Sequence, residues 1–304
     1  MSALLEKRLL FVTGKGGVGK STVALALGIA AAAQGRRTIV CELAAQEHAS
    51  RTFRRAEIGF HEVELRKDLW AISLDPDHSM REYILLQTRI RAMGDMLYRS
   101  RIFNYLAAAT PGLREMVTIG KIWELAQLDR KVKRGRAYDL VIVDAPATGH
   151  GIGFLQTPKT FAEVARVGPI HAQAKTIHAL LTNPELAGAA IVSLPEEMAV
   201  NESAELEREL TESVGIAVDR VFLNGLYGER ISNEEIERLD VEASSPSAAA
   251  ALRAAISQRH RAETQLAQRT RLEGLVKAPV STLPFMFEPQ LGAIELDGLA
   301  ERVS

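Results

Sequence analysis

A single cysteine, Cys41, stands in the whole 304-residue chain. It excludes an internal disulfide and any Cys-x-x-Cys metal or redox site made by one chain, and a buried strand thiol is the expected role. An excess of charge is also missing, since 37 Lys and Arg face 38 Asp and Glu for a formal net charge of −1. No overall basic field marks the chain for nucleic acid, and no polybasic cluster marks it for anionic lipid. The longest apolar run, Val23 to Ala33, is interrupted only by Gly28 and is too short to cross a bilayer. A secretory leader is not expected, because the first glycine-rich motif follows Met1 within about a dozen residues. These absences predict a globular cytoplasmic protein, and 47% hydrophobic residues suffice for a large core.

What is present begins with Leu9-Leu10-Phe11-Val12, which runs into Gly14-Lys15-Gly16-Gly17-Val18-Gly19-Lys20-Ser21. A strand, a Gly-x-x-x-x-Gly-Lys-Ser loop and a helix form a phosphate cradle. The glycines let backbone N–H groups turn inward, Lys20 supplies charge to the β- and γ-oxygens, and Ser21 offers a hydroxyl to Mg²⁺. Val23-Ala24-Leu25-Ala26-Leu27 supplies the helix that the loop requires. A nucleoside triphosphate is the implied ligand. Lys15 is a second lysine in the loop; alone it reads as a solvated residue or as the deviant form of the motif.

Further strands are expected at Thr38–Cys41, Leu69–Leu74, Leu140–Val143, Ala190–Leu194, Arg220–Leu223 and Ala278–Leu283, with helical stretches between them. That alternation predicts an α/β fold, a parallel sheet covered by helices, in one domain spanning 1–304. Residues 77–135 and 152–188 exceed a minimal alternation and are read as insertions forming a helical subdomain. Met80, Met93, Met96 and Met116 in the first are read as core in preference to an adaptable binding face. Ser244-Ser245-Pro246-Ser247 starts a helix that runs to about Leu272. Asp144 closes the fourth strand, where a Walker B carboxylate holds Mg²⁺ through a water beside the P-loop serine.

The second-lysine loop, Asp144-Ala145-Pro146-Ala147-Thr148-Gly149-His150, Leu74-Asp75-Pro76 and Leu283-Pro284 together resemble the arsenite-pump ATPase family, which includes the targeting factor for tail-anchored membrane proteins. Gly168-Pro169-x-His171-Ala172-Gln173-Ala174 and Cys41-Glu42 resemble its bacterial branch of anion-transporting or targeting-factor-like ATPases. The resemblance implies an α/β P-loop ATPase with ATP or ADP and Mg²⁺ as cofactors. Gly16, Gly17, Val18, Gly19, Lys20, Ser21 and Thr22 would hold phosphates, with Ser21 and Asp144 at the metal. Lys15 would act across a dimer interface, and Thr148-Gly149-His150 would sense the γ-phosphate. Asn224 resembles the adenine-reading asparagine, with turn capping as its other reading. Pro284 and Phe285 would pack against the base. The implied partners are a second copy or a paralogous ATPase, and a protein client or membrane partner.

The sequence departs from that pattern twice. Where the family's switch I carries the aspartate that positions the attacking water, this chain has Ala44, so hydrolysis should suffer more than binding. Glu42 and Glu47 are near enough in sequence to substitute, although Glu42 also reads as a strand-end surface residue. Cys41 alone cannot supply the thiolates of an arsenite site or a zinc-bridged dimer. Two functions remain open: a dimeric ATPase whose helical subdomain opens and closes on a client, and a regulatory subunit that hydrolyses weakly beside a hydrolysing paralogue. Iron–sulfur reductases, division-site ATPases and chromosome-partition ATPases fit less well, for want of cysteines, a basic terminal helix and a basic surface respectively.

Overall fold

Segments apolar on both sides cannot face water on either, and here they become interior strands of one sheet. The computed structural model describes residues 3–43, 47–88, 109–130, 137–165, 167–228, 245–288 and 290–303, with isolated positions between these ranges. Its strands are β1 (Leu9–Gly14), β2 (Thr38–Leu43), β3 (Val63–Arg66), β4 (Leu69–Leu74), β5 (Leu140–Asp144), β6 (Ala187–Ser193), β7 (Val218–Leu226) and β8 (Val280–Pro284). They lie in the order β3-β4-β2-β5-β1-β6-β7-β8. Neighbours run parallel except β3, which is antiparallel to β4. The helices are α1 (Ala3–Glu6), α2 (Lys20–Ala33), α3 (His48–Thr52), α4 (Pro76–Thr88), α5 (Leu113–Leu125), α6 (Thr148–Val164), α7 (Pro169–Leu181), α8 (Glu197–Glu209), α9 (Pro246–Leu275) and α10 (Ala293–Val303). The expected α/β class and all seven expected strands are present.

Two hydrophobic layers sandwich the sheet. On one face α2, buried from Val23 to Ala32, and α10, through Leu296, Leu299 and Val303, pack on Leu10, Val12, Val40 and Ile142. Gly28 lets α2 approach, because a Cβ there would lie 2.9 Å from Val40 and 3.0 Å from Leu69. On the other face Ile119 and Ile122 of α5, Leu155 of α6, Ile177 of α7 and Leu206 of α8 pack on Phe11, Ile39, Cys41 and Val143. Alternation along the strands therefore fixes which face each strand-end residue addresses.

The segments read as insertions supply α4 to α7, which contact one another, while α5, α6 and α7 also enter the sheet's own core. Met80 and Met116 are buried and Met96 is exposed; Met93 lies outside the described residues. Strand β3 was not expected. It pairs with β4 through the two-residue turn Lys67-Asp68, with Asp68 at φ 61, a left-handed position that Asp tolerates better than most residues. Helix α9 starts as expected: the Ser245 hydroxyl accepts the Ala248 N–H at 3.2 Å, and Pro246 occupies the first turn. Among the described residues no helix is long and apolar enough to cross a membrane.

Candidate functional site

The central strand β1 delivers the glycine-rich loop to the first turn of α2, with β5 and β6 on either side. Gly19 sits at φ 96, and a Cβ there would meet the Asn224 amide nitrogen at 2.5 Å. A side chain at this position would be opposed by both backbone and space. Asn224 Nδ2 donates to the Val18 carbonyl at 2.9 Å, so the end of β7 is tied to the loop. The Lys20 ammonium donates to the Lys15 carbonyl at 2.8 Å. Burial pushes its pKa down, and Asp144 opposes that shift.

Because Val12 and Asp144 are partners in the β1–β5 register, the carboxylate arrives beside the loop. The Ser21 hydroxyl donates to Asp144 Oδ2 at 2.5 Å. Burial pushes the Asp144 carboxyl up, while Ser21, Lys20 and His48 pull it back. Ser21 and Thr22 are half-buried at the start of α2. Hydroxyl and carboxylate are hard oxygen donors suited to Mg²⁺, which is commonly held by few protein groups plus nucleotide phosphates and water. Among the described residues no group of three or more His, Cys, Asp or Glu side chains is placed to hold a metal by itself.

Glu42, next to last in β2, is the register partner of Asp144. It is 1% exposed, so the surface reading of this residue does not hold. Its Oε1 accepts the Ala49 N–H at 2.8 Å, while Oε2 is buried without a partner. Burial, opposed by the Ala49 N–H and reinforced by Asp144, pushes its carboxyl up to about 7. Glu47 faces elsewhere: its two oxygens accept the Ile58 and Gly59 N–H groups at 3.0 Å each. Although burial pushes that carboxyl up, these bonds hold it below its ordinary range. Of the two candidates for the missing switch aspartate, only Glu42 lies beside Asp144. Ala44 itself lies outside the described residues.

Lys15 pairs within its own chain, its ammonium 2.7 Å from Glu202 on α8. Helix α6 opens with Thr148, Gly149 and His150, the last two exposed. At the other end of the site, Phe285 N donates to Leu226 O at 2.8 Å, and Pro284 is the register partner of Leu226. That brings Phe285 against Tyr227 with ring centroids 4.8 Å apart, and Phe287 lies 5.0 Å from Phe285. A cleft of about 890 Å³ adjoins these rings, lined by Leu194, Pro195, Gly225, Tyr227, Arg253 and Phe285 among others. Cys41 is buried, and burial pushes its thiol up and out of the reactive range.

Sequence reasoning missed His48, Tyr227 and Glu202. His48 and Tyr227 carried a readable signal, since each follows a strand end within a few residues. Glu202 carried none, because its meeting with Lys15 depends on how α8 packs beside β6.

The family model described as anion-transporting ATPase matches residues 7–167, just over half of the chain. ATPase BagA of Mycobacterium tuberculosis is 31% identical over 229 residues, covering 73% of this chain and 66% of the relative. A putative arsenical pump-driving ATPase of Halobacterium salinarum is 27% identical over 236 residues, 74% of this chain and 36% of the relative. ATPase get3 of Neurospora crassa is 27% identical over 182 residues, 57% of this chain and 50% of the relative. The chain thus spans just under two thirds of the first relative and half or less of the other two. The match takes in the loop from Gly14 to Ser21 and the Asp144 strand, and the chain belongs to the anion-transporting ATPase family.

Proposed function

We propose that this chain is a cytoplasmic Mg²⁺-dependent ATPase that works as a dimer and couples nucleotide state to the helices covering its sheet. The observation that carries the reading is the hydrogen bond from Ser21 to Asp144 at 2.5 Å, which joins the P-loop to a carboxylate 123 positions away. Lys20 stands within electrostatic reach of the same carboxylate. Lys20 would bind the β- and γ-phosphates, the loop N–H groups would orient them, and Ser21 with Asp144 would hold the metal. Bound Mg²⁺ supplies charge neutralisation at the phosphates. Asn224, Pro284 and Phe285, joined by Tyr227, would receive the adenine.

Coupling would run through α6. This helix starts at Thr148, directly after the Asp144 strand, and packs on α5 and α7. A shift at residues 144–148 would therefore move the helical cover that we assign to client binding. The dimer would use Lys15 on the partner's phosphates, which requires it to leave Glu202. The experiment is ATP turnover by the purified chain with Mg²⁺, beside mass in solution with and without nucleotide. Turnover that is lost in Lys20→Ala and Asp144→Asn supports the reading; failure to bind nucleotide removes it. Ala44 in the sequence favours a second reading, a regulatory subunit that binds ATP and turns it over only with a paralogue. Brisk turnover by the chain alone excludes that one.

A further inference from the structure

A carboxylate that is 1% exposed needs a partner for each oxygen, since an uncompensated buried charge costs several kcal/mol. Two other buried carboxylates here obey this, whereas half-buried Asp219 pairs Lys7 through Oδ1 and keeps an unpartnered Oδ2. Glu207 accepts from the backbone of Lys277 and Ala278, and Glu124 binds Lys121 and Arg130. Glu42 does not: the Ala49 N–H is donated to Oε1, the His48 N–H adds a weaker pull on the carboxylate, and Oε2 is left with no hydrogen bond of its own. The start of α3 engages this carboxylate through the Ala49 and His48 N–H groups, yet Oε2 itself stays without a hydrogen-bond partner.

The strand register says where that oxygen belongs. Val40 and Ile142 pack with α2, whereas Cys41 and Val143 pack on the opposite face. Glu42 and Asp144, one position further on neighbouring strands, therefore both address the α2 face, side by side in register. On that face Asp144 already accepts the Ser21 hydroxyl.

We infer that Glu42 is a second metal-positioning carboxylate, whose Oε2 accepts a hydrogen bond from the water shell of the Mg²⁺ addressed by Ser21 and Asp144. This rests on the Mg²⁺-nucleotide reading above and assigns a residue to it. A hydrated divalent cation offers what the orphan oxygen lacks, a charged donor of protons at short reach. The role is positional: Glu42 orients bound water and so the metal, while Asp144 stands nearer the loop.

The test is Mn²⁺ binding, read from the loss of the free-ion electron paramagnetic resonance signal, with ADP or a non-hydrolysable ATP analogue present. Glu42→Gln keeps an amide oxygen for Ala49 N, removes the charge and puts an NH2 donor where Oε2 would accept. Both Glu42→Gln and Glu42→Ala are expected to weaken Mn²⁺ by about tenfold, with nucleotide affinity measured in chelator unchanged. Glu42→Asp should recover part of the loss. A purely structural role predicts a different pattern, with Glu42→Gln like wild type and only Glu42→Ala impaired, and that result overturns the inference. Asp144→Asn is the reference arm. If wild type shows no nucleotide-dependent Mn²⁺ binding, the ATPase reading falls and this one with it. If wild type and Asp144→Asn differ while Glu42→Gln matches wild type, only the assignment of Glu42 fails.

Discussion

On the α5 face of the sheet, Arg130 binds Glu62 at 2.7 Å and Glu124 at 2.8 Å, Lys121 joins Glu124 to Glu82, and the Tyr138 hydroxyl donates to Glu62. On the α2 face, Lys20, Ser21, Asp144 and Glu42 gather with an oxygen left over. The same sheet thus carries two buried charged groups built to different rules. In the first, each charge is answered by protein, which makes a clasp between the β3 edge, α4 and α5. In the second, Glu42 Oε2 has no protein partner, a gap that the proposed metal would close. The two carboxylates at their centres also shift in opposite senses. Although burial pushes Glu62 up, Arg130 and Tyr138 hold it below its ordinary range, whereas burial and Asp144 push Glu42 up to about 7 against the Ala49 N–H.

Arg130→Ala should have the largest effect on stability. Its side chain is 1% exposed, and its loss leaves Glu62 and Glu124 without their main cation. Removing one partner of a buried pair costs about 3–5 kcal/mol, so urea unfolding should show that loss while nucleotide affinity of the folded fraction holds. Lys20→Ala should do the reverse. Nucleotide affinity measured by calorimetry is expected to fall about 100-fold, as for loss of a charged hydrogen-bonded partner, with unfolding free energy within about 1 kcal/mol of wild type. If Lys20→Ala unfolds the chain, or Arg130→Ala abolishes binding without destabilising it, the division between the two groups is wrong.

Much of this contrast was readable in the residues, and the unread part has a common cause. The P-loop and Asp144 could be read because each lies at a strand end whose apolar run fixes it locally. Asn224, Pro284 and Phe285 could be placed for the same reason. Strand β3 escaped notice because four residues of mixed burial, Val63 to Arg66, give too short a pattern to separate from loop. The Glu62–Arg130–Tyr138 group is invisible in sequence, since its members come from the approach to β3, the loop after α5 and the approach to β5. Glu42 was seen, but exposure at a strand end and burial beneath α3 look alike until the chain is folded over it.

A smaller effect sharpens the difference through pH. The Glu42 pKa is raised on folding, so its contribution to stability is full below the ordinary carboxylate range and is lost as pH rises towards 7. Glu62 is depressed, so its contribution is present above that range and is lost in acid. Without added nucleotide, Glu42→Gln is expected to be more stable than wild type at pH 8 by up to about 3 kcal/mol. The gain should shrink as pH falls to about 5. Glu62→Gln should be less stable at pH 8, with the deficit shrinking in acid. Melting curves across this range read both, and parallel profiles for the two variants would contradict the opposite signs.

The smallest effect concerns Lys15, the residue whose assigned work lies outside its own chain. Its bond to Glu202 joins side chains 37% and 34% exposed, and pairs this open are typically worth about 0.5 kcal/mol. If Lys15 must leave Glu202 to reach a partner's phosphates, Glu202→Gln removes that competing contact. The ATP-dependent dimer of two variant chains, which gives up two such contacts, should then tighten about fivefold, the same free energy counted twice and expressed as an equilibrium. Sedimentation at matched concentrations with a non-hydrolysable ATP analogue measures it, and added salt should narrow the difference between variant and wild type. A weaker dimer in Glu202→Gln would show that Glu202 steers Lys15 toward the interface rather than holding it back. Lys15→Ala decides between these cases: once the lysine is gone, Glu202→Gln should change nothing further, because a contact between two residues cannot be removed twice.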